Sequence, residues 1–225
     1  MSRPNRKANI GPKRPQRCSE IIFDVGANNG MTFMHRLEEG CTVYAFEPTP
    51  ELAAKVRGNP DLMGRPNFHF TEAAVSDREG RATFHVAGHH DWGCSSLHPF
   101  SDGILDRWPD RPDFRSTHQV EVDVIRLDGF VRRHGIGRID LLHIDAQGSD
   151  LEVIKSLGDE VGKVVRGVME VDNGLSLYKD IPHRDECVAW LEANGFVVER
   201  LENNFGYGGS IRDLEQNIYF RNRNA

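Results

Sequence analysis

Short runs of β-branched and aromatic residues recur along this chain. Between them lie stretches in which apolar positions return every three or four residues. The runs at 21–25, 42–46, 67–71, 82–86, 120–125, 139–144, 164–171, 196–201 and 217–220 predict strands. Several are apolar nearly throughout, the pattern of a strand buried on both faces. The intervening helical patterns fall at 31–39, 50–57, 127–134, 150–157 and 184–194. Strand alternating with helix predicts an α/β, Rossmann-like, doubly wound sheet, mainly parallel, with helices on both faces. The last two strands flank a glycine-rich stretch at 205–209 and read as a hairpin, so the sheet should end in an antiparallel C-terminal strand.

One segment breaks the rhythm. Residues 88–118 hold Gly88, Gly93, Gly103, Pro99, Pro109 and Pro112 together with Trp92, Phe100 and Trp108. They predict an irregular insertion, either a binding loop or a surface excursion with its aromatics packed down.

Length and charge narrow the reading further. The 225 residues suit a single domain over 18–225, preceded by an arm at 1–17. That arm carries Arg3, Arg6, Lys7, Lys13, Arg14 and Arg17 and no acid, and reads as flexible. The rest of the chain then holds 22 basic against 34 acidic side chains. An acidic body is a poor nucleic-acid surface, which argues against a large RNA or DNA substrate. No apolar run approaches the roughly 20 residues that span a bilayer. No secretory signal is visible either. The four cysteines (Cys18, Cys41, Cys94, Cys187) form no CxxC and are expected to be reduced thiols in a cytoplasmic protein.

Candidate chemistry lies where strands end, because open α/β sheets bind ligands outside their carboxyl ends. The first strand runs into Asp24-Val-Gly26-Ala27-Asn28-Asn29-Gly30. Two glycines allow a tight turn and a close ligand approach, and an asparagine tolerates positive φ. The following helix would offer N–H groups to an anion. A GxGxxG dinucleotide fingerprint would need glycine where Asn28 stands, which disfavours an NAD-dependent oxidoreductase. The second strand ends in Glu47-Pro48, placing an acid to accept hydrogen bonds from two ribose hydroxyls. After the third come Glu72 and Ala73; small residues there would let an adenine lie flat, with Glu72 accepting from its amine.

The segments FDVGANNG (23–30), YAFEP (44–48), AAVSD (73–77), CSSL (94–97), IDLLHIDAQGSDLEVIKSL (139–157) and VRGVMEVD (165–172) together resemble class I S-adenosylmethionine-dependent methyltransferases, specifically the FkbM family. The resemblance covers about residues 20–221. It implies that Asp24, Gly26, Ala27, Asn28, Asn29 and Gly30 line the methionine part of S-adenosyl-L-methionine. Glu47 and Pro48 would hold the ribose, and Glu72 and Ala73 would flank the adenine. Ser95 and Ser96 would come near the cofactor, and Asp145 would stand at the reaction centre. The chain departs from the family's commoner residues at His143, Gln147 and Asp150.

The expected reaction is O-methylation of a hydroxyl on a small molecule or sugar. An acceptor hydroxyl must lose a proton, and Asp145 could orient or deprotonate it. His143 alternates with Asp145 and is a second candidate base. A magnesium alternative would draw oxygen ligands from Asp145, Asp172 and Asn173, with Glu170 as a further acid near the strand's end. His89-His90-Asp91 reads as a substrate-capping loop rather than a metal site. The rival functions are an N-methyltransferase and a non-catalytic S-adenosylmethionine-binding regulatory module.

Overall fold

The computed structural model describes residues 18–88, 92–203 and 214–225. The basic arm, the capping loop at 89–91 and the glycine-rich stretch at 205–209 lie outside the described residues. In chain order the elements are β1 (Ile21–Val25), α1 (Met34–Glu39), β2 (Thr42–Phe46), α2 (Pro50–Arg57), α3 (Pro60–Met63), β3 (Phe68–Thr71), β4 (Ala74–Val75), β5 (Gly80–Ala87), α4 (Ile104–Arg107) and β6 (Ser116–Ile125). There follow α5 (Leu127–Arg133), β7 (Ile139–Ile144), α6 (Asp150–Lys155), β8 (Val164–Asp172), α7 (Arg184–Ala193), β9 (Phe196–Asn203) and β10 (Glu215–Asn222).

The central sheet has the order β3-β2-β1-β7-β8-β10-β9. Its first five strands are parallel, and β10 runs antiparallel to both β8 and β9. The chain thus builds outward from β1 in one direction and resumes at β7 in the other. The crevice between the ends of β1 and β7 is the topological switch point where such sheets bind ligands.

The period of two explains the apolar strands. In β1, Ile22 joins Leu37, Val56 and Leu62 of α1, α2 and α3 on one face. Its neighbour Phe23 joins Phe130, Ile154 and Leu191 of α5, α6 and α7 on the other. Both faces are covered by helices, so neither needs a polar side. Among the described residues, no helix is long and apolar enough to cross a membrane.

The strands expected at 82–86 and 120–125 do not enter this sheet. They are the longer β5 and β6, which pair antiparallel and, with β4, form a separate sheet of order β4-β6-β5. Their inward residues Phe84, Val86, Val122 and Val124 make a small core that also receives Trp92 and Leu97. Most of the irregular segment packs down rather than standing free. Phe100, Ile104, Trp108 and Phe114 cluster with Leu177 and Tyr178.

The expectation of four reduced thiols is corrected. Cys18 and Cys41 form a disulfide with a Cα–Cα distance of 4.8 Å. Parallel pairing puts Ile21 beside Thr42, and so draws the residues just before each strand together. Their separation of 23 residues carries no motif by which the sequence could announce the bond. Cys94 and Cys187 are free and buried. A cytoplasmic location therefore loses the support that reduced cysteines lent it.

Candidate active site

At the switch point a cavity of about 300 Å³ opens between the two sheets. The predicted residues on its wall are Gly26, Asn28, Glu47, Pro48, Ala73, Ser95 and Asp145.

The loop after β1 is shaped by a close approach. A Cβ on Gly26 would stand 1.8 Å from the carbonyl oxygen of Asp145, and Gly26 has φ of +81°. Only glycine permits both the contact and the turn. Asn28 also takes a positive φ, 52°. Its N–H donates to Glu47 Oε2 at 2.9 Å, and the Thr49 N–H donates to Glu47 Oε1 at 2.8 Å. Glu47 is 4% exposed. Burial pushes its carboxyl up to about 7, against the lowering effect of the Thr49 and Asn28 hydrogen bonds. Each of its oxygens keeps a lone pair, so the carboxylate can accept from two adjacent hydroxyls on a ligand.

Beyond Glu47 the wall turns apolar with Phe46, Ala74, Val75, Phe84, Trp92 and Leu97. This slot suits a flat ring. At the opposite end stand Asp145, Gln147 and Glu170. The Asp145 N–H donates to Val25 O at 2.9 Å, continuing the β1–β7 ladder by one residue. Its side chain accepts from Gln147 Nε2 at 2.6 Å, and the same amide nitrogen donates to Glu170 at 2.8 Å. Tyr178 donates its hydroxyl proton to Gln147 Oε1 at 2.7 Å or to the Cys94 carbonyl at 2.9 Å. Burial raises the Asp145 carboxyl, offset by the Gln147 hydrogen bond and the His143 charge.

Asp150 sits beneath this corner, 3% exposed. It accepts from the backbone N–H groups of Glu170, Gly148 and Ala146 at 3.2, 3.3 and 3.5 Å, tying the 146–148 turn to β8. Burial pushes its carboxyl to about 8, with the nearby Asp145 adding to the rise.

Several sequence-predicted residues are not on the wall. His143 stands directly opposite Asp24 in the β1–β7 register. Its Nδ1 bonds Asp24 Oδ1 at 2.9 Å, and its ring packs edge-on to Phe33 at 5.4 Å. That is the side of the sheet covered by α1, because Asp145 has left the strand and no longer follows its alternation. Burial alone would lower the His143 pKa, but the hydrogen bond and charge of Asp24 raise it. Asp24 is 1% exposed and serves this pair. Ala27 is buried in the α1-side core. Asn29 turns outward and accepts from the Met31 N–H at 3.0 Å, while Gly30 packs against Leu62.

Glu72 forms an ion pair with Arg57 and is not among the lining residues. The ring slot is instead closed by Val75, Phe84 and Trp92. Ser96 points away from the cavity and donates to the Gln147 carbonyl at 2.6 Å, anchoring the irregular segment to the 145–148 loop. The helix expected from residue 31 begins at Met34, so the wall is loop backbone rather than a helix end.

Of the magnesium candidates, Asp145 lines the cavity, whereas Asp172 and Asn173 are not among its lining residues and hold other parts of the chain. Asp172 accepts from the Gly174 N–H at 2.6 Å and the Leu177 N–H at 3.1 Å. The Asn173 amide oxygen accepts from Arg184 at 3.0 Å. Among the described residues, the side chains whose ligand atoms converge within 4.8 Å are Cys18, Glu20 and Cys41, where the two sulfurs are already joined.

Sequence reasoning missed Gln147 and Tyr178 as site residues, and weighed Glu170 only as an oxygen ligand for magnesium. Gln147 carried a signal as a departure from the resemblance. Tyr178 carried none, since it arrives from the segment after β8.

The switch-point cavity thus has a buried carboxyl with free lone pairs, an apolar slot and an acidic far end, and the class it belongs to is that of the S-adenosylmethionine-dependent methyltransferases. The profile of the methyltransferase FkbM domain matches residues 24–198, and the chain belongs to that family. It is 31% identical to 31-O-demethyl-FK506 methyltransferase FkbM of Streptomyces tacrolimicus, over 88% of this chain and 80% of that protein. It is 30% identical to 2-O-methyltransferase NoeI of Sinorhizobium fredii (strain NBRC 101917 / NGR234), over 60% of this chain and 56% of that protein. Among solved structures it is similar to magnesium protoporphyrin IX methyltransferase from Synechocystis PCC 6803 with bound SAM. That likeness has a TM-score of 0.49 at 9% identity, and covers 91% of this chain and 70% of the other.

Proposed function

We propose that this methyltransferase acts on oxygen, placing the methyl group on a hydroxyl of a small molecule or sugar. The observation that carries this reading is the carboxyl end of the cavity. Asp145 and Glu170 face the space where an acceptor would enter, and an alcohol needs a proton acceptor there whereas a neutral amine does not. The names of the FkbM and NoeI relatives, both O-methyltransferases, support it.

When bound, S-adenosylmethionine supplies an electrophilic methyl carbon on a positively charged sulfur. Glu47 would accept from its ribose hydroxyls, and the slot of Val75, Phe84 and Trp92 would hold the adenine and exclude water. Asn28 and the Gly26 turn would hold the methionine part, with Asp145 available to its ammonium. The carboxyls would orient the acceptor oxygen for in-line attack.

The test is a methyl-transfer assay read by mass spectrometry. It uses 31-O-demethyl-FK506 and methyl glycosides as alcohol probes, with primary amines as the comparison. Methylated alcohol is the expected product, and Asp145→Asn should reduce its rate roughly 10²-fold or more. Methylation confined to the amines would sink the oxygen assignment.

A further inference from the structure

The amide of Gln147 donates through one nitrogen to both Asp145, at 2.6 Å, and Glu170, at 2.8 Å. Two carboxyls bound to one nitrogen are near neighbours. Asp145 is half-buried on the cavity wall and Glu170 is 7% exposed. Two carboxylates so close, in a corner shielded from water, do not both ionise readily, and one proton held between them relieves the repulsion.

We propose that Asp145 and Glu170 form a single proton-sharing carboxyl pair, in which Asp145 receives the ammonium of the cofactor and Glu170 takes the proton of the acceptor hydroxyl. Gln147 and Tyr178 are positioning residues for the pair. The proposal rests on the methyltransferase assignment and on the hydroxyl reading above. The division of labour follows from position. Asp145 stands against Gly26 and the loop that holds the methionine part. Glu170 lies one strand further along and lines both the main cavity and a small one beside it, formed with Gly148, Asp172, Tyr178 and Glu215.

The proton balance closes over a cycle. Without ligand the pair holds one proton. The cofactor's ammonium neutralises one carboxylate, so the shared proton leaves to solvent on binding. As the acceptor oxygen forms its bond to the methyl carbon, the C–S electron pair passes to sulfur. The hydroxyl proton passes to Glu170, and the pair is again singly protonated when the thioether and the methyl ether depart.

The surroundings favour a retained proton. The charges that act on the pair are Glu47 at the end of β2, Asp150 at the start of α6 and, from the α1 side of the sheet, Asp24 and His143 on β1 and β7. Asp172 and Glu215 on β8 and β10, with Arg111 of the irregular segment, complete the ring. Acids outnumber His143 and Arg111 in this set. Glu215 adds to the crowding, since its Oε2 is buried without a hydrogen-bond partner. Gln147 matters because glutamate at that position would add a further carboxyl to the pair.

The test is calorimetry at pH 7 in two buffers of different ionisation enthalpy, which counts protons released on binding. S-adenosylmethionine is compared with 5′-methylthioadenosine, which engages Glu47 and the ring slot but lacks the ammonium. The wild-type protein should release close to one proton more with S-adenosylmethionine. Glu170→Gln should abolish that difference while changing S-adenosylmethionine affinity less than about threefold. Asp145→Asn should weaken S-adenosylmethionine at least tenfold and leave 5′-methylthioadenosine unchanged. Gln147→Leu, which keeps both acids, should shrink the proton difference.

Equal proton release with both ligands in the wild-type protein would overturn the pair and leave the methyltransferase standing. So would a Glu170→Gln protein that weakens both ligands alike, the mark of a merely structural residue. The wild-type comparison needs no variant to fold. If the extra proton appears but only amines are methylated, the hydroxyl role of Glu170 is overturned.

Discussion

Glu47 concentrates much of the site's physics in one side chain. It is buried, its two oxygens are fixed by the N–H groups of Asn28 and Thr49, and its carboxyl is raised from an ordinary value of 4.5 to about 7. Ribose hydroxyls donate best to an ionised carboxylate. S-adenosylmethionine affinity should therefore fall as pH drops below about 7, by roughly tenfold per unit once Glu47 protonates. Glu47→Ala should weaken binding at least tenfold at pH 8 and remove this acid-side loss. Calorimetry across pH 5.5–8 checks both, and an unchanged affinity would remove the ribose assignment. The sequence put this residue on the cavity wall, because an acid at the end of the second strand follows from chain order. It misplaced Glu72, which neighbours the same slot in sequence but reaches Arg57 instead. Which way a side chain turns at a strand end is settled by its partners, and Arg57 comes from a different element.

At the scale of elements, the site is held by the contact between two loops. Gly26→Ala would set a methyl group against the Asp145 carbonyl and require a left-handed φ of +81° from an alanine. The loops would have to part, so the variant should lose S-adenosylmethionine binding. It should also unfold at least about 2 kcal/mol more easily in urea. At the other end of β1 the disulfide closes a 23-residue separation around α1. By loop-closure entropy its loss should cost about 3 kcal/mol. Cys18→Ser, or dithiothreitol on the wild-type protein, should lower the melting temperature while leaving S-adenosylmethionine affinity nearly unchanged, because the bond lies far from the strands' carboxyl ends. No change in melting would mean that the β1–β2 pairing already holds this corner without it. His143 is instructive at this scale. Strand alternation was carried one residue too far, to Asp145, which lies past the end of β7. The strand's own register then gives His143 to Asp24 and leaves Asp145 to the cavity.

Over the whole molecule, buried acids gather behind the cavity. Glu47 is raised to about 7, while Asp150 and Glu215 are raised to about 8, in each case chiefly by burial. All three bind protons more tightly in the folded than in the unfolded chain. Their contribution to stability is complete below their ordinary values of 3.8–4.5 and is lost as pH rises through 7 to 8. The ligand-free protein should thus melt at a lower temperature at pH 8.5 than at pH 6. S-adenosylmethionine should narrow that difference, because it binds the ionised form of Glu47. Asp150→Asn should flatten the profile if the variant keeps the backbone hydrogen bonds that the carboxylate accepts. Scanning calorimetry against pH is the measurement, and a melting temperature that rises through this range would contradict the assignment of these three acids.

The sequence by itself determined the main-sheet architecture and the loop and acid that line one end of the cavity. Near-continuous apolar strands alternating with amphipathic helices admit little besides a covered parallel sheet. The turn after β1 and the acid after β2 are local in sequence, so FDVGANNG and YAFEP carried the position of Gly26, Asn28 and Glu47. Only the tertiary structure decided the rest. Gln147 bridges acids at the ends of β7 and β8, Tyr178 arrives from the segment after β8, and Cys18 meets Cys41 because two parallel strands happen to start side by side. β5 and β6 leave the main sheet for one of their own. Each of these depends on contacts between residues distant in the chain, and no local periodicity or spacing records which distant residues will meet.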